Sequence, residues 1–296
     1  MVIQKVTLQN GEEMAYRERE GGTKPVILIH GNMTSSTHWD ILIEALAPDY
    51  KVYAVDLRGF GASSYRKRIT SIKDFSDDVK GFVDALDLKD FSMVGWSTGG
   101  AVAMQFQIAY PRLCEKIVLL ASASTRGYPM FETKDDGTPN LERRLQTLRE
   151  IEADKKTIGM QFLYDSKDKE GLKAVWNAVI YTDNKPDEKK YEAYIDDMLT
   201  QRNLADVYHA LNRFNISAVH NGVTEGTNEA ASIQIPILVL HGDCDYVVTE
   251  NMTEEIMEDL GQIAAYHRLK NTGHSPMVDD LEQVTTQIEK FLREEK

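Results

Sequence analysis

The chain has 296 residues, 42% of them hydrophobic, and a formal net charge of −13. That length and apolar content support one large domain or two small ones with a full core, and exclude an intrinsically disordered chain. The acidic excess argues against nucleic acid and against an anionic membrane surface as partners.

Val2–Leu8 and Glu12–Glu18 alternate in polarity around Gln9-Asn10-Gly11, which predicts a β-hairpin. Pro25–Ile29 is a continuous apolar run, the pattern of a strand buried on both faces, and ends in His30-Gly31-Asn32-Met33. A short helix is expected over Trp39–Leu46. Lys51–Val55 forms another buried strand, ending in Asp56-Leu57-Arg58-Gly59-Phe60-Gly61. Ile72, Phe75, Val79, Phe82, Val83 and Leu86 fall at helical spacing on one face. Phe91–Val94 reads as a strand and Gly100–Ala109 as a helix. Between them lies Gly95-Trp96-Ser97-Thr98-Gly99, followed after the helix by a buried strand at Ile117–Leu120.

From Ser124 to Glu229 no convincing β run is present. Leu141, Leu145 and Leu148 share one helical face, and Tyr191, Tyr194, Ile195, Met198 and Leu199 another. The connectors carry charge, Gly and Pro, so this stretch reads as a helical insertion. The sheet resumes at Pro236–Leu240 and continues into His241-Gly242-Asp243-Cys244-Asp245. A helix near Thr253–Leu260, a strand near Ala264–Leu269 and the turn Asn271-Thr272-Gly273-His274-Ser275-Pro276 follow. Leu281, Val284, Ile288, Phe291 and Leu292 mark the last helix.

Alternating strands and helices predict an α/β fold with a mostly parallel sheet and helices on both faces. Ligand sites in such sheets lie beyond the strand C-termini, where all these turns converge. The expected organisation is a core of residues 1–123 and 230–296 with a helical cap, or lid, of 124–229. No apolar run is long enough for a membrane span. The first residues lack a basic segment followed by an apolar one, so a cytoplasmic location without membrane attachment is the expectation. Cys114 and Cys244 form neither a metal-spaced cluster nor a disulfide framework, and no metal or cofactor is expected.

Strand, sharp Gly-flanked turn, helix is the setting a G-x-S-x-G nucleophile elbow requires, with Ser97 at its apex over a helix N-terminus that favours negative charge. With His30-Gly31, Asp56-x-Arg58-Gly59-x-Gly61, Gly242-Asp243-x-Asp245 and Gly273-His274 in this order, the chain resembles the α/β-hydrolase family over nearly its whole length. That resemblance implies an eight-stranded, mostly parallel sheet with the cap inserted between strands 6 and 7. A serine hydroxyl needs a base of near-neutral pKa, an acid to hold the imidazole tautomer, and donors for the oxyanion. The order Ser…Asp…His fits Ser97, Asp245 and His274. The resemblance places the acid at Asp245 rather than Asp243, which then caps the turn. The oxyanion donors are expected to be the backbone N–H groups of Asn32 and Thr98.

His30 and His241 read as structural, and His38, His209, His220 and His267 as solvated or core residues. Cys244, flanked by carboxylates, is disfavoured as a thiolate nucleophile. The loop His30-Gly31-Asn32 with Thr34-Ser35-Ser36 and Trp39 also resembles that of haloalkane dehalogenases. Those enzymes carry Asp at the elbow apex, so Ser97 excludes their alkyl-enzyme route.

The implied activity is hydrolysis of carboxylic esters through an acyl-enzyme. The Gly-Trp-Ser elbow, chain length and N-terminal half are similar to intracellular poly(3-hydroxybutyrate) depolymerases of Gram-positive bacteria, which implies that polymer or its oligomers as substrate. Small esters or lactones, acyl-homoserine lactones included, are the alternative. A cofactor-free perhydrolase or haloperoxidase, a C–C bond hydrolase and a non-catalytic ligand sensor are further alternatives on the same scaffold. Trp96, Tyr128, Met130, Phe131, Phe162, Trp176 and Phe214 are candidates for an acyl pocket.

Overall fold

The computed structural model describes residues 1–294. Its main sheet comprises β1 (Ile3–Thr7), β2 (Glu13–Arg19), β3 (Lys24–Ile29), β4 (Tyr50–Val55), β5 (Phe91–Trp96), β6 (Cys114–Leu120) and two strands from the C-terminal part. Between β6 and those two lies a separate antiparallel pair, β7 (Phe131–Thr133) and β8 (Pro139–Arg144). The sheet then closes with β9 (Ile237–Gly242) and β10 (Ala264–Leu269), in the order β1-β2-β4-β3-β5-β6-β9-β10. Only β2 runs against its neighbours; every other pairing is parallel.

Helices α1 (Asp40–Ala45), α2 (Ile72–Ala85) and α3 (Thr98–Ala109) connect the early strands. The insertion contributes α4 (Leu148–Ala153), α5 (Lys155–Asp165), α6 (Lys169–Val179), α7 (Glu188–Met198) and α8 (Leu204–Arg213). Then come α9 (Glu250–Leu260), the short α10 (Pro276–Asp279) and α11 (Leu281–Arg293). No helix among the described residues is long and apolar enough to cross a membrane.

The period-2 geometry of a strand divides the core in two. Ile27 and Ile29 of β3 face a cluster with α2, α3 and α9, through Val79, Phe82, Met104, Phe106 and Ile256. Val26 and Leu28 face the other cluster, with Leu42 of α1 and Val284, Ile288 and Phe291 of α11. The continuous apolar runs thus belong to strands covered on both sides, and each face of β3 is fully sequestered. The Ser71–Asp74 capping box starts α2, satisfying backbone donors that the helix leaves open.

Two expectations for the insertion need correction. It is not wholly helical, because Phe131–Thr133 and Pro139–Arg144 pair across the Lys134–Thr138 turn. That turn is closed by the Lys134 N–H donating to the Thr138 carbonyl at 2.9 Å, with Gly137 at φ +82°. Leu141, Leu145 and Leu148 do not share a helix: Leu141 lies exposed on β8, Leu145 is a buried loop residue, and α4 begins only at Leu148. Their spacing mimics a helix face across a strand and its exit.

Candidate active site

The Ser97 backbone is at φ 55°, ψ −116°, the left-handed side of the map that β-carbon-bearing residues seldom occupy. The surroundings hold it there. Its N–H donates to the Leu120 carbonyl at 3.0 Å, and its carbonyl accepts from Gly100 at 3.0 Å and Ala123 at 3.1 Å. The flanking glycines are required sterically. A Cβ at Gly95 would overlap the Gly99 carbonyl, and one at Gly99 would overlap the Ile29 carbonyl. The strain is compensated by β5 and α3, which hold the turn from both sides. The loop after β3 passes so close that a Cβ at Gly31 would lie 3.0 Å from the Ser97 Cβ.

The turns after β9 and β10 bring a carboxylate to an imidazole. His274 Nδ1 donates to Asp245 Oδ2 at 2.8 Å, with both side chains buried. The other Asp245 oxygen accepts the N–H groups of Val247 at 2.8 Å and Val248 at 2.9 Å, which fixes the carboxylate's orientation. Asp243 instead accepts the Thr272 N–H at 3.3 Å and does not face the imidazole. Trp96 Nε1–H donates to the His274 carbonyl at 2.8 Å, and the two rings are 6.0 Å apart, so the residue before Ser97 anchors the His274 loop. Asp279 accepts the Gly273 N–H at 2.8 Å and steadies the same loop; burial pushes its carboxyl above the ordinary range.

Ser97, Thr98, Gly31, Asn32 and His274 all line one cavity of about 220 Å³. Thr98 is the first residue of α3, so its N–H has no intrahelical acceptor, and no described group accepts from the Asn32 N–H. Trp96, Tyr128 and Trp176 line this cavity too. Met130, Phe131, Phe162 and Phe214 do not. Met130 is buried in the core and Phe214 packs with the opposite cluster. Phe131 sits half-buried on β7. Phe162 is 65% exposed, because it lies two residues, or about 200° of helical rotation, from the pocket-facing Met160.

The remaining wall is Met33 after β3, Lys156 and Met160 of α5, Val175, Val179 and Ile180 at the end of α6, Tyr208 and Leu211 of α8, and Tyr246 and Val247 after β9. Sequence reasoning missed these. The pairs Lys156/Met160, Val175/Val179 and Tyr208/Leu211 are spaced i, i+3 or i, i+4 and carry the signal of one face per helix.

The loop histidines do structural work. His30 Nδ1 donates to the Gly31 carbonyl at 2.7 Å and Nε2 accepts the Leu57 N–H at 2.9 Å, so His30 ties two loops together. His241 Nε2 donates to the Val248 carbonyl at 2.8 Å. Desolvation and the adjacent Asp243 push the Cys244 thiol up. Asp56 accepts the N–H groups of Ser36 and Ala62, each at 2.8 Å, and Arg58 pairs with Asp78 at 2.5 Å.

A polar clasp joins α7 to the loop after β3. Asp197 Oδ1 accepts the hydroxyls of Ser35 at 2.6 Å and Thr37 at 2.8 Å, and His38 Nδ1 lies 3.2 Å from its other oxygen. Burial alone would raise the Asp197 carboxyl; His38 and the two hydroxyls outweigh it and hold the group below the ordinary range. His38 stacks on Tyr194, ring centroids 4.4 Å apart, and adjoins Trp176 of the pocket wall at 5.7 Å. Gln201 donates to the Asn32 side-chain oxygen at 2.8 Å, so the insertion also holds the loop beside Ser97.

A family model for the alpha/beta hydrolase fold matches residues 24–281. The chain spans about a third of the length of the first curated relatives it matches. Over 282 residues it is 23% identical to the AB hydrolase superfamily protein YisY of Bacillus subtilis, with 92% of each chain covered. Among solved structures it is similar to an esterase of Exiguobacterium antarcticum (TM-score 0.75, 17% identity, 98% and 99% of the two chains). It is also similar to a bromoperoxidase of Bacillus anthracis (TM-score 0.75, 21% identity, 99% and 100%). At these identities the structural likeness speaks for the fold alone. Taken with the match over residues 24–281 and the β1-β2-β4-β3-β5-β6-β9-β10 sheet, it leads to one conclusion: the chain belongs to the alpha/beta hydrolase fold family.

Proposed function

We propose that the protein is a serine hydrolase cleaving carboxylic esters through an acyl-enzyme. The observation that carries this reading is the Asp245–His274 contact at the rim of the cavity that also receives Ser97 from its strained turn. Asp245 keeps the proton of the neutral imidazole on Nδ1, which leaves Nε2 free as a general base. Ser97 attacks the ester carbonyl as its proton passes to Nε2. The oxyanion is stabilised by the Asn32 and Thr98 amides and by the N-terminal end of α3. The imidazolium then protonates the departing alcohol, and water repeats the sequence to release the acid.

Residues 124–229 act in this reading as a cap, since α5, α6 and α8 supply most of the apolar wall. A cavity of about 220 Å³ lies below the ~300–1,000 Å³ of drug-sized pockets. That favours a small ester or lactone. Poly(3-hydroxybutyrate) or its oligomers would enter by a chain end.

The test is Ser97→Ala together with fluorophosphonate labelling read by intact mass. Wild type should gain one adduct, lost in the variant, and the variant should lose at least ~10⁴-fold in ester turnover while remaining folded. An unlabelled wild type, or unchanged turnover in the variant, refutes the assignment. Peroxide-dependent halogenation exceeding ester hydrolysis would favour perhydrolase chemistry instead.

A further inference from the structure

Lys156 stands apart in the pocket wall. The other side chains that the insertion's helices give to this wall are apolar or aromatic: Met160, Val175, Trp176, Ile180, Tyr208 and Leu211. Among the described residues lining the cavity, it is the one charged side chain besides the titratable His274. Its neighbour Lys155 pairs with Asp135, whereas the Lys156 ammonium makes no ion pair or hydrogen bond with any described residue. Asp154, the nearest carboxylate in sequence, is already occupied. Its Oδ1 accepts the Thr133 N–H at 2.7 Å, and its Oδ2 accepts the Thr133 hydroxyl at 2.7 Å and the Lys156 backbone N–H at 3.0 Å.

The helix dipole gives no reason for a lysine here. A cation in the first turn of α5 sits at the positive end of the helix dipole, where it is disfavoured. Lys156 is exposed as a residue while lining the cavity, and desolvation, partly offset by the attraction of Asp154, draws its ammonium below the ordinary lysine range. A cation without an ion-pair partner on a largely apolar wall is a place that an anion would complement.

We propose that Lys156 is an anion subsite, and that the substrate is an ester or lactone bearing a carboxylate remote from the scissile carbonyl. The carboxylate lies against Nζ while the carbonyl lies over Ser97. This deepens the ester-hydrolase reading and rests on it for the position of the carbonyl.

Two matched pairs of esters test the proposal. Mono-p-nitrophenyl glutarate against p-nitrophenyl pentanoate varies the acyl side, and 4-acetoxybenzoate against phenyl acetate varies the alcohol side. Wild type should prefer at least one anionic ester. Lys156→Met should lose about 10- to 100-fold in kcat/KM on that ester, chiefly through KM, and about tenfold more than it loses on the neutral partner. Lys156→Arg should restore the preference; Lys156→Gln replaces the Met variant if that one does not fold. No anionic preference in wild type, or equal losses on charged and neutral esters, overturns the proposal. Should wild type hydrolyse no ester at all, the hydrolase reading fails and the subsite is judged by binding alone. Tryptophan fluorescence of the Ser97→Ala protein then compares monomethyl glutarate, an anion, with the neutral methyl pentanoate. A glutarate preference abolished by Lys156→Met sustains the subsite, and equal binding overturns it.

Discussion

Asp245→Asn isolates the orienting role of the carboxylate. An asparagine side chain keeps one oxygen where Oδ1 accepts the Val247 and Val248 N–H groups, so the turn is retained. Its amide nitrogen replaces Oδ2, 2.8 Å from His274 Nδ1, and can only donate there. Nδ1 must become the acceptor, the ring proton moves to Nε2, and the neutral imidazole can no longer take a proton from Ser97. That change of tautomer is worth about four orders of magnitude in kcat, or about 5.4 kcal/mol at roughly 1.36 kcal/mol per tenfold. Loss of one charge-assisted hydrogen bond costs about 1.5–3 kcal/mol of stability, too little to unfold an ordinary domain. The assay is steady-state hydrolysis of p-nitrophenyl acetate at pH 8, with far-UV circular dichroism and a thermal melt on the same preparation. A folded variant within tenfold of wild type would refute the tautomer argument and the assignment of His274 as base.

The clasp between α7 and the β3 loop gives a stability prediction. Asp197→Ala strips partners from Ser35, Thr37 and the buried His38, and should cost about 3–5 kcal/mol in urea unfolding at pH 7. Because the folded carboxyl is depressed, its contribution is complete above the unfolded pKa of about 3.9 and disappears as pH falls through the lower folded value. The gap between wild type and variant should therefore narrow below about pH 4, and a gap that widens in acid would contradict this. Phe162→Ser, on the exposed face of α5, should change stability by no more than about 0.5 kcal/mol and leave turnover unaltered. Trp176→Ala, buried in the wall, should cost about 3–5 kcal/mol and raise KM; the reverse ranking would mean that the pocket lies elsewhere.

Much of the sheet was legible in the chain because its signals are local. Pro25–Ile29, Val52–Val55 and Pro236–Leu240 are apolar without alternation, the pattern of a strand covered on both faces. The Gly95-Trp96-Ser97-Thr98-Gly99 turn was legible for a similar reason, since its glycines answer contacts within a few residues and with the adjacent β3. Parallel strands then oblige every following loop to emerge on one edge. By itself, therefore, the sequence determined the alternation of strands and helices, the insertion after the sixth strand, and the order of the turns that meet around residue 97.

Other features were decided only by the tertiary structure. That Asp245 and not Asp243 faces the imidazole depends on how the β9 turn is held by Val247 and Val248. That Met160 and Lys156 turn toward the cavity while Phe162 faces outward depends on which side of α5 meets α6 and α8, a choice hydrophobicity alone does not make. The leucine spacing of 141, 145 and 148 satisfied a helical period, but pairing with Phe131–Thr133 drew Leu141 into a strand. Asp197 and His38, which meet in the clasp, are separated by too many residues for any local pattern to relate them. Short-range sterics and burial on both faces act along the chain and so can be read from it. Which face a helix presents, and which charge meets which, follows from packing between distant segments and exists only once they have met.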